Sequence, residues 1–259
     1  MSPNTQFIHL SLASFPGMSP INAMSRYQLE PIPDSLFGLL NANHVQICPQ
    51  NCIKQLDEAH AEALMDLFPN TRFRLHANVK VLEQHHPRAD LSHYRMYTKY
   101  FHRLAELSKC LSAPGYTLHA GLRKQCSWAD LFRFREKIEL MMGVPVGIEG
   151  HYSTPDGRYW LDSFDEYRRL FEANVPFALD LSHLHIIACQ TGQMDIELIT
   201  EMLASPNCIE VHVSHNDGVR DLHLTMPSET DLWWLPLLTN VRPDSPIFYE
   251  GNLQKNHTH

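Results

Sequence analysis

The sequence predicts a (β/α)8 TIM barrel, and three observations lead to it. Short apolar runs alternate with stretches of helical periodicity eight times along 259 residues, the pattern of parallel strands with helices packed outside them. Composition does not shift between these units, so a single domain over 1–259 is expected, a size usual for such barrels. No glycine-rich phosphate loop follows an early strand, which argues against an open doubly wound sheet.

Residues 7–12 (Phe-Ile-His-Leu-Ser-Leu) are the first strand candidate, followed by a Ser/Pro/Gly-rich loop and a short helix at 35–40. The second strand, 44–48, is stopped by Pro49. A helix at 53–68 follows, with Leu56, Ala59, Ala63, Leu64 and Leu67 at helical spacing. The third strand is 72–79, and a polar segment through 85–88 leads to a helix at 92–111. The fourth strand, 116–119, is halted by Gly121, and Ser127 caps a helix running to Met142. The fifth strand is 145–149. The next helix, 163–173, carries the capping pair Ser163 and Glu166. A sixth strand at 177–181, a helix at 195–203, a seventh strand at 209–213, a helix at 231–238 and an eighth strand at 246–250 complete the pattern.

The formal net charge of −8 gives no general attraction to nucleic acid or to anionic membranes. Six cysteines are scattered, and Cys48-x3-Cys52 lacks the second pair a zinc knuckle requires. With no signal-peptide pattern and no stretch of membrane-spanning length, a cytoplasmic protein with reduced thiols is expected.

The chemistry concentrates in residues 209–224, where His212, His215, Asp217, Asp221 and His223 fall within a strand and the turn after it. Imidazole and carboxylate suit zinc, iron and manganese, and Asp221-x-His223 can reach one ion from a single loop. Ligand-type residues also mark the other strand ends: His76, His119, Glu149, Asp180 with His183, and Glu250. In a barrel the carboxyl ends of the strands converge on one face, so nine side chains would meet in one bowl. A carboxylate ending an apolar strand is costly to bury unless paired or coordinated. His215 and Asp217 read as turn residues, and Asp156, Asp162 and Asp165 as loop and capping residues.

The ordered set His76, His119, Glu149, Asp180-x-x-His183, His212, Asp221-x-His223 and Glu250 resembles the xylose isomerase-like barrel superfamily. That group holds sugar isomerases and epimerases, endonuclease IV, and multinuclear non-haem iron enzymes that oxidise peptides. The trinuclear branches imply one metal on His76, His119 and Glu149, and a second on Asp180, His212 and Glu250 with Glu149 bridging. The third would lie on His183, Asp221 and His223. Two to three ions are implied, iron first, with zinc and manganese open.

The iron branch is further suggested by Asp180-x7-Ala188-x3-Gly192, and by Pro227 followed by Trp233-Trp234-x-x-Leu237. Its strand-six motif commonly reads Asp-Val-Asn-Asn, where this chain has Asp180-Leu-Ser-His183. An epimerase would need one ion with Glu149 and Glu250 as catalytic acid and base. An endonuclease would need Arg/Lys-rich loops, which are not evident. The expected partners are a small-molecule or peptide substrate, the latter delivered by a partner protein, and neither membrane nor nucleic acid. A barrel that binds metal without turnover is the remaining alternative.

Overall fold

The computed structural model of the chain describes residues 8–52, 54–84, 88–227 and 232–254. Eight strands form one sheet: β1 (Ile8–Ser11), β2 (Asn41–Ile47), β3 (Arg72–Leu75), β4 (Tyr116–His119), β5 (Val146–Glu149), β6 (Phe177–Asp180), β7 (Cys208–Val213) and β8 (Ile247–Tyr249). Every pairing is parallel, in the order β3-β2-β1-β8-β7-β6-β5-β4. This is the circular order of a barrel cut once, between β3 and β4, where no ladder forms. The two strands are nevertheless neighbours, since His76 Nδ1 lies 3.2 Å from Thr117 Oγ1.

Seven α-helices accompany the sheet among the described residues: α1 (Pro20–Leu29), α2 (Glu58–Leu67), α3 (Thr98–Cys110), α4 (Trp128–Met142), α5 (Phe164–Glu172), α6 (Leu181–Thr191) and α7 (Ile196–Ala204). In α4, Ser127 accepts from the Asp130 amide and the Asp130 carboxylate accepts from Ser127 N, while Gly143 at φ 73° ends the helix. This is a reciprocal capping box with a left-handed glycine stop. In α3, helical spacing turns Tyr100, Phe101, Leu104, Ala105 and Leu107 inward.

Several elements depart from the sequence reading. Residues 35–40 are not a helix; Asp34 and Gly38 pair across a tight turn, and the helix of this unit is α1, capped by Ser19 with Pro20 in the first turn. The helix expected over 92–111 begins as a short 3₁₀ turn, Leu91–His93, and becomes regular only at Thr98. α6 was not expected at all. It starts directly after β6, because the strand-ending Asp180 also caps it, accepting from Ser182 N and His183 N. At α5 the expected capping pair is absent: Ser163 makes no side-chain cap bond, and Glu166 accepts from Leu161 N and pairs with Arg123. The helix expected over 231–238 is a 3₁₀ segment, Leu235–Asn240. Phe7, Ile53, residues 85–87 and Asp231, parts of expected elements, lie outside the described residues.

The apolar core lies around the strands, with Leu10, Val45, Phe73, Leu118, Ile148, Leu179 and Val211 among its fully buried members. Inside the barrel the filling is polar. Ser11 donates to Gln46, and Gln46 donates to Glu210 at 2.5 Å. Thr117 donates to Glu210, and Arg74 meets its second oxygen at 2.8 Å. Barrels of this type normally fill this space with branched apolar side chains. Gly115 makes room for the arginine, since a Cβ there would stand 2.8 Å from Arg74 Nη2.

Candidate metal centre

The carboxyl ends of the strands deliver all nine expected side chains to one bowl. Glu149, ending β5, lies at its centre. Its Oε1 is 3.5 Å from His119 Nε2 and 3.3 Å from His212 Nδ1, and its Oε2 is 3.5 Å from His76 Nε2. His212 Nδ1 also faces Glu250 Oε1 at 3.9 Å. His183 Nε2 lies 3.4 Å from Asp180 and 3.3 Å from Asp221, and His223 Nε2 lies 3.2 Å from the same Asp221 oxygen. His223 Nδ1 approaches Glu250 Oε2 at 3.6 Å.

These separations are what a shared ion requires. Two donors each about 2.1 Å from an ion stand roughly 3.4 Å apart at tetrahedral angles. Three trios place their donor atoms within 4.8 Å of one another: His76-Glu149-His212, Glu149-Asp180-His183 and Asp180-His212-Glu250. Glu149, Asp180 and His212 each belong to two trios, so neighbouring positions share ligands. The trios cut across the division implied by the resemblance: His212 sits with His76 as well as with Glu250, and His183 with Glu149 and Asp180. Glu149 Oε2, Glu250 Oε1 and His223 Nδ1 are buried with no hydrogen-bond partner, an arrangement that a buried polar atom rarely tolerates without a ligand. The nitrogen and oxygen donors present therefore fit a divalent transition metal.

Charge reinforces the arrangement. Burial opposes ionisation of Glu149, but the imidazoles of His119, His212 and His76 overcome it and hold the carboxyl well below its usual range. Burial, with Asp180 and Glu149 nearby, pushes Glu250 up to about 7. His76 is depressed to about 3, chiefly by burial. At His183 burial disfavours the cation, yet Asp180 and Asp221 push the group up to about 10. His223 rises to about 9 against the same cost, through Asp221 and Glu250.

Sequence reading missed Glu210. Two residues before His212 on β7, it projects from the same face of the strand, and its Oε1 meets His212 Nε2 at 2.6 Å. That contact turns Nδ1 toward Glu149 and Glu250, the carboxylate-histidine arrangement that orients metal ligands. Burial raises Glu210, but Arg74 and His212 bring it down to about 2. The Glu-x-His alternation was the signal. His151 was missed too; it stacks on His119 at 4.6 Å and on Tyr159 at 4.1 Å. His215 and Asp217 stay out of the cluster, and Asp217 accepts from Val219 N and Arg220 N in its own turn. Of the motif residues that suggested an iron enzyme, Asp180 belongs to the bowl, while Gly192, Trp233 and Trp234 lie outside it. Gly192 ends α6 at φ 66°, Trp233 donates to His185 at 3.0 Å, and Trp234 is buried.

The bowl encloses about 70 Å³, lined in part by Cys48 of the β2 end. Beside it a cavity of about 510 Å³ reaches His119 and His151 and carries Arg88, Lys124 and Arg158. Its lining also holds Asp90 and Asp156, and Asp156 pairs with Arg158 at 2.7 Å.

No protein-family model matches the sequence, and no curated protein matches it. Solved structures do share its fold. A D-tagatose 3-epimerase-like protein aligns at TM-score 0.64 and 14% identity, over 96% of this chain and 92% of its own. The IolI protein with a bound zinc atom aligns at 0.60 and 12%, over 96% and 93%. An AP endonuclease, family 2, from Brucella melitensis aligns at 0.61 and 13%, over 98% and 97%. The fold is that of the xylose isomerase-like barrels.

Proposed function

We propose that the chain is an enzyme with a bridged, multinuclear metal centre, and that with iron bound it oxidises a small-molecule or peptide substrate. One observation carries the multinuclear reading: the trios around Glu149, Asp180 and His212 share ligands. A single-ion centre on Glu149, Asp180, His212 and Glu250 would leave unused His76 and His183, which complete the other two trios. The donors are nitrogen and oxygen, which support iron in two oxidation states, and bound iron would supply electron transfer between substrate and oxygen. The choice of iron rests on the superfamily resemblance.

The residues have separable tasks. Glu149 holds adjacent positions together, its two oxygens flanked by three imidazoles. Glu210 and Arg74 keep His212 in orientation. Arg88 and Lys124 receive the anionic part of the substrate beside His119. A partner protein that presents a peptide is part of the same reading.

The test is substrate-dependent oxygen uptake by protein loaded anaerobically with iron or with zinc. Uptake with iron alone is expected, since zinc has no redox chemistry. Equal turnover by both forms under argon overturns the oxidative reading. That outcome would instead support isomerisation or epimerisation, the second reading, which is favoured by one observation: carboxylates of Glu149 and Glu250 flank His212 at 3.3 and 3.9 Å. Two carboxylates astride one bound substrate can take and return a proton.

A further inference from the structure

We propose a second ligand site at the opposite end of the barrel, where the cavity at the amino-terminal mouth binds a small oxyanion, a carboxylate or a phosphate. This cavity of about 360 Å³ is lined by His9 of β1, His44 of β2, and Arg72 and Arg74 of β3. The polar layer of Gln46, Thr117 and Glu210 separates it from the metal centre. Arg74, held by Glu210, links the two ends, and ligand binding here is read apart from turnover at the metal centre.

The cavity wall has buried ring and guanidinium nitrogens without partners. His44 is 6% exposed, and its Nε2 has no partner. His9 Nδ1 and Arg74 Nε are likewise buried and unpartnered. The side chain of Arg72, exposed at the first position of β3, makes no hydrogen bond or ion pair among the described residues. The lining carboxylate, Asp244, faces solvent and is held by Arg242 at 3.1 Å. Arg74 commits one arm to Glu210 at 2.8 Å and lies over the Phe248 ring, and its Nε has no partner. Buried donors left unmatched are costly, and one oxyanion accepts from several at once.

Two further features agree with an anion. The rings of His9 and His44 meet edge to face at 5.6 Å, and both rest on Phe248, so their positions are fixed before any ligand arrives. Burial first, then the neighbouring Arg74, depress His44 to about 3, which leaves a neutral ring able to donate one N–H. The volume equals roughly a dozen waters, enough for a small organic acid.

Inorganic phosphate and acetate, titrated separately into the full-length protein, test this, with binding followed through the imidazole nitrogen shifts of His9 and His44. Saturable binding of at least one is expected, and the pair separates phosphate from carboxylate as the ligand chemistry. Arg72→Ala, a change at an exposed side chain, should weaken binding at least tenfold, and His44→Asn should do the same if it folds. Asp221→Asn in the metal bowl should leave the affinity unchanged. Absence of saturable shifts, or binding that Arg72→Ala leaves intact, overturns the site.

Discussion

His212 Nε2 lies 2.6 Å from Glu210 Oε1, and this contact decides which nitrogen His212 offers to the bowl. Glu210→Gln keeps the shape but removes the charge, and it strips Arg74 of its buried partner. Loss of a partner that orients a metal ligand typically costs about 10–100-fold in metal affinity. We expect faster metal release to a chelator by at least tenfold. Release at the original rate would show that Glu210 only fills space.

Glu149→Gln should lose at least one metal equivalent together with activity, because the charge that offsets neighbouring cations is gone. Metal content by elemental analysis after anaerobic loading is the measurement. A variant with undiminished content and turnover would remove Glu149 from the bridging position.

Metal binding should release protons at pH 7.5. His183 and His223, pushed up to about 10 and about 9, carry protons there in the metal-free protein, and coordination must displace them. Calorimetry in buffers of different ionisation enthalpy reads the number released. The same groups set the pH dependence of metal-free stability. Their folded values lie above the unfolded value near 6.5, so their contribution is complete below that pH and lost as pH rises through 9 and 10. Glu250, raised to about 7, acts in the same direction at lower pH. The melting temperature of metal-free protein should therefore fall between pH 7 and pH 10, and a flat profile would contradict the assignment.

Abasic duplex DNA should bind weakly, with the steep salt dependence of non-specific contact, and should not be cut efficiently. A chain of net charge −8 has Arg88, Lys124 and Arg158 at the cavity beside the bowl, a small cationic footprint for a duplex. Efficient incision by homogeneous protein would move hydrolysis ahead of both readings given above.

Strands β4, β5, β6 and β8 were legible in the sequence because each is a short run ending at or just before a polar or charged residue, which also located His119, Glu149, Asp180 and Glu250. In contrast, β2 begins in polar residues at Asn41, three positions before the expected strand. Local patterns failed where one residue does two jobs. Asp180 closes β6 and opens α6, so no loop residues announced the helix. Glu210 sits inside β7 and looks like an intrusion in an apolar run, and its meaning depends on Arg74 from β3 and Thr117 from β4. Such contacts between distant strands have no sequence period. Ser163 and Glu166 matched a capping pattern, but Arg123 took the glutamate for a long-range ion pair.

The gap between β3 and β4 gives the metal a mechanical task. His76 follows β3 and His119 ends β4, and both stand 3.5 Å from Glu149. An ion held by His76, Glu149 and His212 would tie the β3 edge to strands on the far side of the seam, so coordination would supply the closure that backbone hydrogen bonds leave out. The metal-free barrel should then breathe at this seam, with β3 and β4 the first strands to exchange their amide protons for deuterium, and metal loading should slow that exchange more there than at β7 or β8.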